Sequence, residues 1–324
     1  MRGEGCAFCK ACGYLPRVRG EDLMKHSKPV VSRAQMRRET LSAYLFLLPF
    51  LVFFIGFIVI PMFMCLWTSF FDSTMAREDI FVGLGNYITM AQDEIFHKAL
   101  LNTLLIVVVA VPTVTVFSLW VASAIYQMKP AACSFFRCVF YLPVVTGTVA
   151  VTVVWKWMFN NYYGIVNYLG KSTGLLKAGI NWLGDERTAI WCIILILFTT
   201  SIGQPIVLYV SALGNVDVSL IEAAEVDGAT RLQTFWRIMW PQVTPTTLYI
   251  LVITTINSFQ CFALIQLLTS GGPNHATDTI MYYIYYQAFK LYQYGYGNAM
   301  GVFLAILIGL LSALQFAVAG RSNK

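Results

Sequence analysis

Charged side chains are scarce in this sequence. They make up 12% of its 324 residues, whereas a soluble domain usually contains about 25%. In their place, 58% of the residues are hydrophobic and the mean hydropathy is +0.66. This composition excludes an ordinary soluble protein and predicts an integral membrane protein. The formal net charge of +6 does not indicate nucleic-acid binding, because the basic residues are concentrated near the N-terminus.

The sequence also lacks a convincing catalytic or metal-binding set. Its three histidines are scattered over polar segments, with no metal-ligand spacing between them. Cys6, Cys9 and Cys12 have the C-x2-C-x2-C spacing of an iron–sulfur or zinc site, but a fourth ligand is missing nearby. We therefore expect no enzyme activity, no metal and no cofactor in this chain.

Charge is missing above all from the long apolar segments. A run of about 20 apolar residues can span a bilayer as a helix. A charge at the bilayer centre costs at least ~2.5–3.5 kcal/mol and usually marks an ion or proton path, but none lies deep inside any of the six segments. This disfavours an ion-coupled carrier and predicts an all-α integral membrane protein with six transmembrane helices. The segments are 43–67, 99–125, 139–158, 189–213, 246–268 and 299–318.

Basic residues predict the orientation of these helices. Nine of the 22 Lys and Arg residues precede residue 40, and a cytoplasmic N-terminus would place 15 of them inside and seven outside. Cytoplasmic segments are enriched in Lys and Arg, so we expect both termini in the cytoplasm. Residues 1–39 then form a basic cytoplasmic segment, and 40–75 contain the first transmembrane helix.

The N-terminal segment does not have the pattern of a cleavable signal peptide, because its polar part is long and the apolar run after it has the length of a span. Met24 and Met36 are both plausible starts. Residues 1–23 are therefore interpreted as a mis-called start.

A polar segment, 219–245, separates two of the most apolar stretches and is predicted to lie in the cytoplasm. Ser219 and Glu222 fit a capping box, which predicts a short helix from about residue 220. Asp227 and Gly228 form a turn dipeptide, with Gly228 in the left-handed conformation that ends a helix. A second helix is predicted from about Ala229 to just before Pro241.

The two predicted helices differ in character. Leu232, Phe235, Trp236 and Met239 follow helical spacing and predict one apolar face on the second helix. The first helix is acidic, whereas an anionic membrane surface attracts basic helices. The sequence thus favours a protein partner over the membrane surface for this segment.

The same segment is similar to the EAA loop of binding-protein-dependent ABC importer permeases. That pattern is EAA, three residues, then GA, with a later Phe, an Ile and two prolines, and this chain has EAAEVDGA followed by Phe235, Ile238, Pro241 and Pro245. The flanking sequences YLPVVTGTVAVTVVWKWMFNNYYGIVNYL and LIQLLTSGGPNHATDTIMYYIYYQAF resemble the carbohydrate-uptake branch, in particular its first permease subunit. The resemblance covers about residues 40–318.

This resemblance implies a type I ABC importer transmembrane domain, with a permease core at 97–318 and a coupling loop at 219–245. Two related permease subunits would form the path in the cell membrane. Two copies of a cytoplasmic ABC ATPase would bind ATP and Mg²⁺, and an extracellular or periplasmic solute-binding protein would deliver the sugar. The residues that would contact the ATPase are Glu222, Ala223, Ala224, Asp227, Gly228 and Ala229.

Polar residues on the fourth and fifth spans predict the substrate path. Uncharged hydroxyl and amide groups suit the hydroxyls of a neutral sugar, and the family places its cavity on the same two helices. Hydrogen bonds between packed helices are the alternative role for each residue. The predicted path residues are Thr199, Gly203, Gln204, Ile206, Thr254, Asn257, Ser258 and Cys261.

Other functions remain open at this point. An importer of the same class could carry a non-sugar solute such as an amino acid, phosphate or a polyamine. A stand-alone secondary carrier or a membrane enzyme is disfavoured by the missing ionisable and catalytic residues. The size of the sugar is left open as well.

Overall fold

A computed structural model describes residues 33–75, 77–174 and 176–322 of the chain. The expectations about residues 1–23 and the cysteines at 6, 9 and 12 therefore lie outside the described residues. The chain divides into two units, Met1–Pro61 and Met62–Lys324. The described helices are overwhelmingly apolar, as the composition predicts.

The first predicted span is helical. Helix α1 (Arg33–Phe54) continues through a π-helical turn (Ile55–Val59) into α2 (Ile60–Thr68). Within it, Thr40–Thr68 is long and apolar enough to cross a membrane. The helix ends at Thr68, and the remainder of the predicted 40–75 segment begins a short strand.

A small hairpin follows that the sequence analysis did not predict. Strands β1 (Phe71–Thr74) and β2 (Arg77–Phe81) pair antiparallel, with Phe71 opposite Phe81. Helix α3 (Gly85–Gln92) comes next. The Asn86 side chain donates hydrogen bonds to the carbonyls of Ser69 and Phe71, at 2.8 and 2.9 Å, and so joins α3 to the hairpin.

Helix α4 (Glu94–Ile125) is the longest helix of the second unit. The Asp93 side chain caps it by accepting hydrogen bonds from the amides of Ile95 and Phe96. Pro112 lies inside it without ending it. Small and hydroxyl-bearing residues on its buried side, such as Thr103 and Ser118, permit close packing of neighbouring helices.

Two of the predicted spans are bent pairs of helices. Helices α5 (Pro130–Val145) and α6 (Thr148–Met158) meet at 94°. After α7 (Ile165–Ser172), helices α8 (Glu186–Ser201) and α9 (Gly203–Gly214) meet at 41°. The second break lies at Ile202, three residues before Pro205.

The C-terminal part contains the last spans and the polar hairpin. Its helices are α10 (Val218–Val226), α11 (Arg231–Thr234), α12 (Trp240–Phe259), α13 (Ala263–Leu268), α14 (Ile280–Tyr285) and α15 (Tyr294–Ser322), with π-helical turns at Phe235–Met239 and Tyr286–Lys290. The polar hairpin is formed by the two helices α10 and α11 and the turn between them. Helix α4 packs against α8, α9 and α12, so the fourth and fifth predicted spans meet on one central helix.

Among the described residues, three helices and two bent pairs are long and apolar enough to span a membrane. The single helices are Thr40–Thr68, Glu94–Ile125 and Tyr294–Val318. The fifth predicted segment, 246–268, is interrupted after Phe259 and divided between α12 and α13. The architecture remains the expected all-α membrane bundle.

Candidate functional site

The polar hairpin begins at Asp217. Its carboxylate accepts a hydrogen bond from the Ser219 amide at 3.0 Å and caps α10. The predicted capping box is therefore wrong. Asp217 is the N-cap residue and Ser219 already lies inside the helix, so Ser219 and Glu222 do not form a capping box. The hydrogen bond from the Ser219 backbone lowers the pKa of the exposed Asp217 carboxyl. The side chain of Glu222 is exposed instead.

The end of α10 has the predicted conformation. Gly228 has φ of +77°, which confirms the left-handed backbone. The Ala229 amide donates to the Ala224 carbonyl at 2.9 Å, and the Gly228 amide donates to Glu225 at 3.1 Å. These two hydrogen bonds form a Schellman motif. A Cβ at Gly228 would meet no atom within 4 Å, so the backbone conformation alone requires glycine.

The second arm of the hairpin differs from the prediction. Thr230 and Gln233 form a reciprocal capping box that starts α11. The helix then passes through the π-helical turn and Pro241 into α12, so the predicted stop before Pro241 is wrong. Pro241 lies in the first turn of α12, directly after the π-helical turn, and does not end the helix.

The predicted single apolar face of this arm is also wrong. Met239 is buried and Phe235 is half-buried, whereas Leu232 and Trp236 are 69% and 55% exposed. The π-helical turn changes the helical period within the stripe, so its members diverge. An apolar surface thus remains exposed on this arm.

The first arm is exposed as well. Ala224 is buried, but Glu222, Ala223 and Asp227 are exposed, and Val226 is 88% exposed. Within the described part of the chain, the one ion pair joins His275 and Asp278. The hairpin therefore presents small apolar residues and uncompensated carboxylates that a basic partner surface could cover.

A cavity of about 150 Å³, with both polar and apolar walls, lies between α9 and α12. Gln204, Thr254 and Asn257, three of the predicted path residues, line it. Thr200, Ser201 and Tyr249 line it too, although the sequence analysis did not select them. None of its lining residues carries a charge. The cavity can offer amide and hydroxyl groups to a neutral solute.

The remaining predicted path residues lie elsewhere. Gly203 packs against α5, where a Cβ would collide with the carbonyl oxygen of Phe140. Ile206 and Ser258 are buried in the helix bundle. The Thr199 hydroxyl donates to the Ile196 carbonyl of its own helix at 2.8 Å. None of these four residues lines the cavity between α9 and α12.

Cys261 lines a second cavity, of about 260 Å³, at the break between α5 and α6. Val144 and Thr200 line both cavities, so the two adjoin. Gln260 and Thr148 contribute further polar groups to the second cavity. The two cavities thus adjoin near the breaks between α5 and α6 and between α8 and α9.

Asp93 joins three helices on the side that the charge distribution predicts to be outside. Its carboxylate accepts hydrogen bonds from the hydroxyls of Tyr283 at 2.7 Å and Tyr296 at 2.6 Å. Burial raises the pKa of this carboxyl, but the two tyrosine hydrogen bonds and the two from the α4 backbone outweigh it, so the pKa is lowered. Asp93 therefore fixes the positions of α4, α14 and α15 as a carboxylate.

The segment between α13 and α14 is held in place in a similar way. The Asp278 carboxylate lies 2.6 Å from Nδ1 of His275. Its other oxygen lies over Gly271, which has φ of +84° and no room for a Cβ. Burial raises the pKa of Asp278, although His275 and Lys98 partly oppose it. This loop is thus tightly packed.

Known proteins resemble the chain over nearly its whole length. The family described as binding-protein-dependent transport system inner membrane component matches residues 82–324. A probable ABC transporter permease protein of Bacillus subtilis, YesP, is 32% identical over 301 residues, which are 92% of this chain and 94% of that protein. The multiple sugar-binding transport system permease protein MsmF of Streptococcus mutans is 32% identical over 277 residues, 85% of this chain and 94% of MsmF.

The fold also resembles a solved structure, that of a bacterial ABC transporter involved in the import of the acidic polysaccharide alginate. The TM-score is 0.79 at 24% sequence identity, and the match covers 90% of this chain and 99% of the other. At this identity the likeness concerns the fold.

Proposed function

Because the chain belongs to the family of binding-protein-dependent transport system inner membrane components, we propose that it is the permease subunit of an ATP-driven importer for a sugar. It is a membrane-embedded transport subunit and not an enzyme. The proposal rests on one observation. The same chain has an uncharged cavity with amide and hydroxyl groups between two spans and an exposed, acidic hairpin beside them.

The hairpin is the contact for the ATPase in this proposal. Helix α10 is short, its end is held by the Schellman motif at Gly228, and its small Ala223 is exposed. Small side chains allow a partner backbone to approach closely, and the free carboxylates of Glu222 and Asp227 can accept charge-assisted hydrogen bonds from Arg or Lys. The second arm continues directly into α12, so a movement of the hairpin would reach the cavity through one helix.

The cavity supports a sugar as the solute. Gln204 and Asn257 offer amide donors and acceptors, and Thr254 and Ser201 offer hydroxyls. Small-molecule sites combine apolar walls with a few polar groups that fix orientation, and Tyr249 and Ile253 supply such walls. None of the residues that line this cavity is charged, which suits a neutral solute. MsmF is a multiple sugar-binding system permease by its name, which agrees with this choice.

The partners follow from the same assignment. A second, related permease subunit would complete the path, and two copies of a cytoplasmic ABC ATPase would hold ATP and Mg²⁺. An extracellular or periplasmic solute-binding protein would deliver the sugar. The excess of basic residues on the hairpin side supports a cytoplasmic location for both termini.

Purification of the tagged chain from membranes of its own host tests this proposal. We expect an ABC ATPase and a second permease to accompany it in mild detergent, and deletion of the gene to abolish high-affinity uptake of at least one sugar in a labelled panel. The proposal would be overturned if the tagged chain purified without either partner and the deletion strain took up every sugar normally.

A further inference from the structure

Helix α7 has an inverted distribution of polar and apolar residues. Its most buried residue is Asn167, which is 2% exposed, whereas Tyr168 is 70% exposed. Ile165 and Leu169 are 49% and 54% exposed and lie on the same side of the helix. A helix in contact with water on its outer side would normally show the opposite pattern. The apolar side of α7 therefore requires a partner.

The hydrogen bonds of Asn167 explain why a polar residue faces inward. Its Nδ2 donates to the carbonyls of Asn160, Asn161 and Ile180, at 3.3, 3.3 and 2.9 Å. Its Oδ1 accepts from the Ile180 amide at 3.1 Å and from Nε1 of Trp182 at 2.9 Å. A buried amide with all these partners is well satisfied. The network fixes the rotation of α7 and holds its apolar side outward.

The apolar side of α7 continues an exposed surface of the preceding span. Val149, Val153 and Trp157 form a row along α6, and each is more than half exposed. The ring of Tyr163, just before α7, packs edge-on against Trp157 with centroids 5.4 Å apart. An exposed valine row on a membrane helix contacts lipid or another membrane subunit, and Trp and Tyr concentrate where the bilayer meets water.

We propose that α7 lies along the outer surface of the bilayer, with Ile165, Tyr168 and Leu169 inserted among the lipids at the headgroup boundary. Interfacial helices bury an apolar face at the headgroup boundary and carry Lys or Arg beside it, and Lys156 and Lys171, before and after this stripe in the sequence, are exposed. The partner is thus a lipid surface, and not a protein that docks from outside.

This placement would have a consequence for the outer mouth of the path. Asn160 and Asn161, which Asn167 holds by their carbonyls, also line a depression of about 470 Å³ together with Thr269 and Pro273. The membrane would thereby fix the position of α7, and α7 would fix the position of one wall of this depression. The position of α7 in the membrane does not depend on transport activity or on the identity of the solute.

Site-directed spin labelling tests the proposal. The purified complex, with the native cysteines replaced, is labelled at Tyr168→Cys and placed in phosphatidylcholine–phosphatidylglycerol vesicles without any binding protein. Collision with oxygen, which prefers lipid, is compared with collision with a neutral nickel chelate, which prefers water. The matched control is Lys177→Cys, in the same outer loop and also exposed. We expect several-fold less nickel contact at 168 than at 177, and more oxygen contact.

A second labelled position, Leu169→Cys, keeps the test decisive if the Tyr168 variant does not fold. Equal access of the nickel chelate to 168, 169 and 177 in vesicles would overturn the proposal. Protection of 168 and 169 from the nickel chelate that appears only after a sugar-loaded binding protein is added would also overturn the proposal. The stripe would then be a docking surface for that protein.

Discussion

Gly228 has a backbone conformation that a β-branched residue adopts only with strain. Its φ is +77°, and the left-handed region costs an L-residue about 1–2 kcal/mol. We expect Gly228→Val to redirect α10 and to reduce ATP-driven uptake at least tenfold. The structure places this change in the exposed hairpin, so binding of sugar by the external receptor should be unchanged. Transport and receptor-stimulated ATPase activity are the measurements.

Gly214→Val is the matched control for this change. Gly214 ends α9 near the same hairpin, a Cβ there meets no atom within 4 Å, and its φ is not positive. Uptake by this variant should stay within about twofold of the parent, since a helix-end valine costs only a fraction of a kcal/mol. Equal loss in both variants would show that the positive φ is not what the coupling requires.

Asn257 and Ser258 are neighbours with different surroundings. Asn257 is exposed and lines the cavity, whereas Ser258 is buried away from it. Asn257→Leu removes hydrogen bonds to a solute worth about 0.5–1.5 kcal/mol each, so we expect KM for uptake to rise about tenfold with assembly intact. Ser258→Ala should change KM less than twofold. Equal KM in the parent and Asn257→Leu would assign Asn257 to helix packing.

At the scale of elements, Asp93 and Asp185 allow a matched comparison of two helix caps. Asp185 caps α8 with one amide hydrogen bond, while Asp93 caps α4 and also accepts from two tyrosines. Asparagine caps a helix about as well as aspartate but loses the charge-assisted bonds. We expect Asp93→Asn to lower the apparent Tm of the purified complex by several degrees and Asp185→Asn to leave it nearly unchanged.

The effect of Asp93 should also depend on pH in a defined direction. Its pKa is lowered in the folded protein, so its contribution to the stability of the fold is fully present above the ordinary carboxyl pKa of about 3.9. It is lost as the pH falls through the lower, folded value. The difference in Tm between the parent and Asp93→Asn should therefore be constant from pH 8 to 5 and shrink below about pH 4. A difference that shrinks between pH 8 and 5 would contradict this assignment.

The hairpin shows how far local sequence determines local structure. The Asp227-Gly228 dipeptide predicted the end of α10, because only glycine takes that conformation freely. Its start was mispredicted because Asp217 and Ser219 are both good caps, two residues apart, and sequence alone does not rank them. Pro241 was mistaken for a stop because a proline inside a helix usually breaks it, and the sequence did not reveal the π-helical turn that precedes it.

Contacts between distant residues could not be predicted in the same way. The sequence grouped Gln204 and Ile206 together as path residues, but only the packing of α9 shows that one lines the cavity and the other is buried. Asp93 and its partners Tyr283 and Tyr296 are 190 and 203 residues apart along the chain. No local pattern marks such a set.

The orientation of the whole molecule rests on the distribution of its basic residues. A cysteine at Lys177, in the loop after α7, should react in intact cells with a membrane-impermeant maleimide. A cysteine at Thr230, in the hairpin, should react only after permeabilisation. Both positions are exposed, so accessibility depends on the side of the membrane. Labelling at 230 with protection at 177 would reverse the topology and remove the hairpin from the ATPase.

The central claim is that this chain forms part of a path driven by ATP hydrolysis in a partner. Its most direct test is reconstitution of the co-purified complex in proteoliposomes, with ATP on the hairpin side and the solute-binding protein and a labelled sugar on the other. The account predicts accumulation of sugar above its external concentration, which requires ATP, Mg²⁺ and the binding protein together. Equilibration of the sugar by the chain alone, without ATP or partners, would contradict the account and identify a stand-alone carrier.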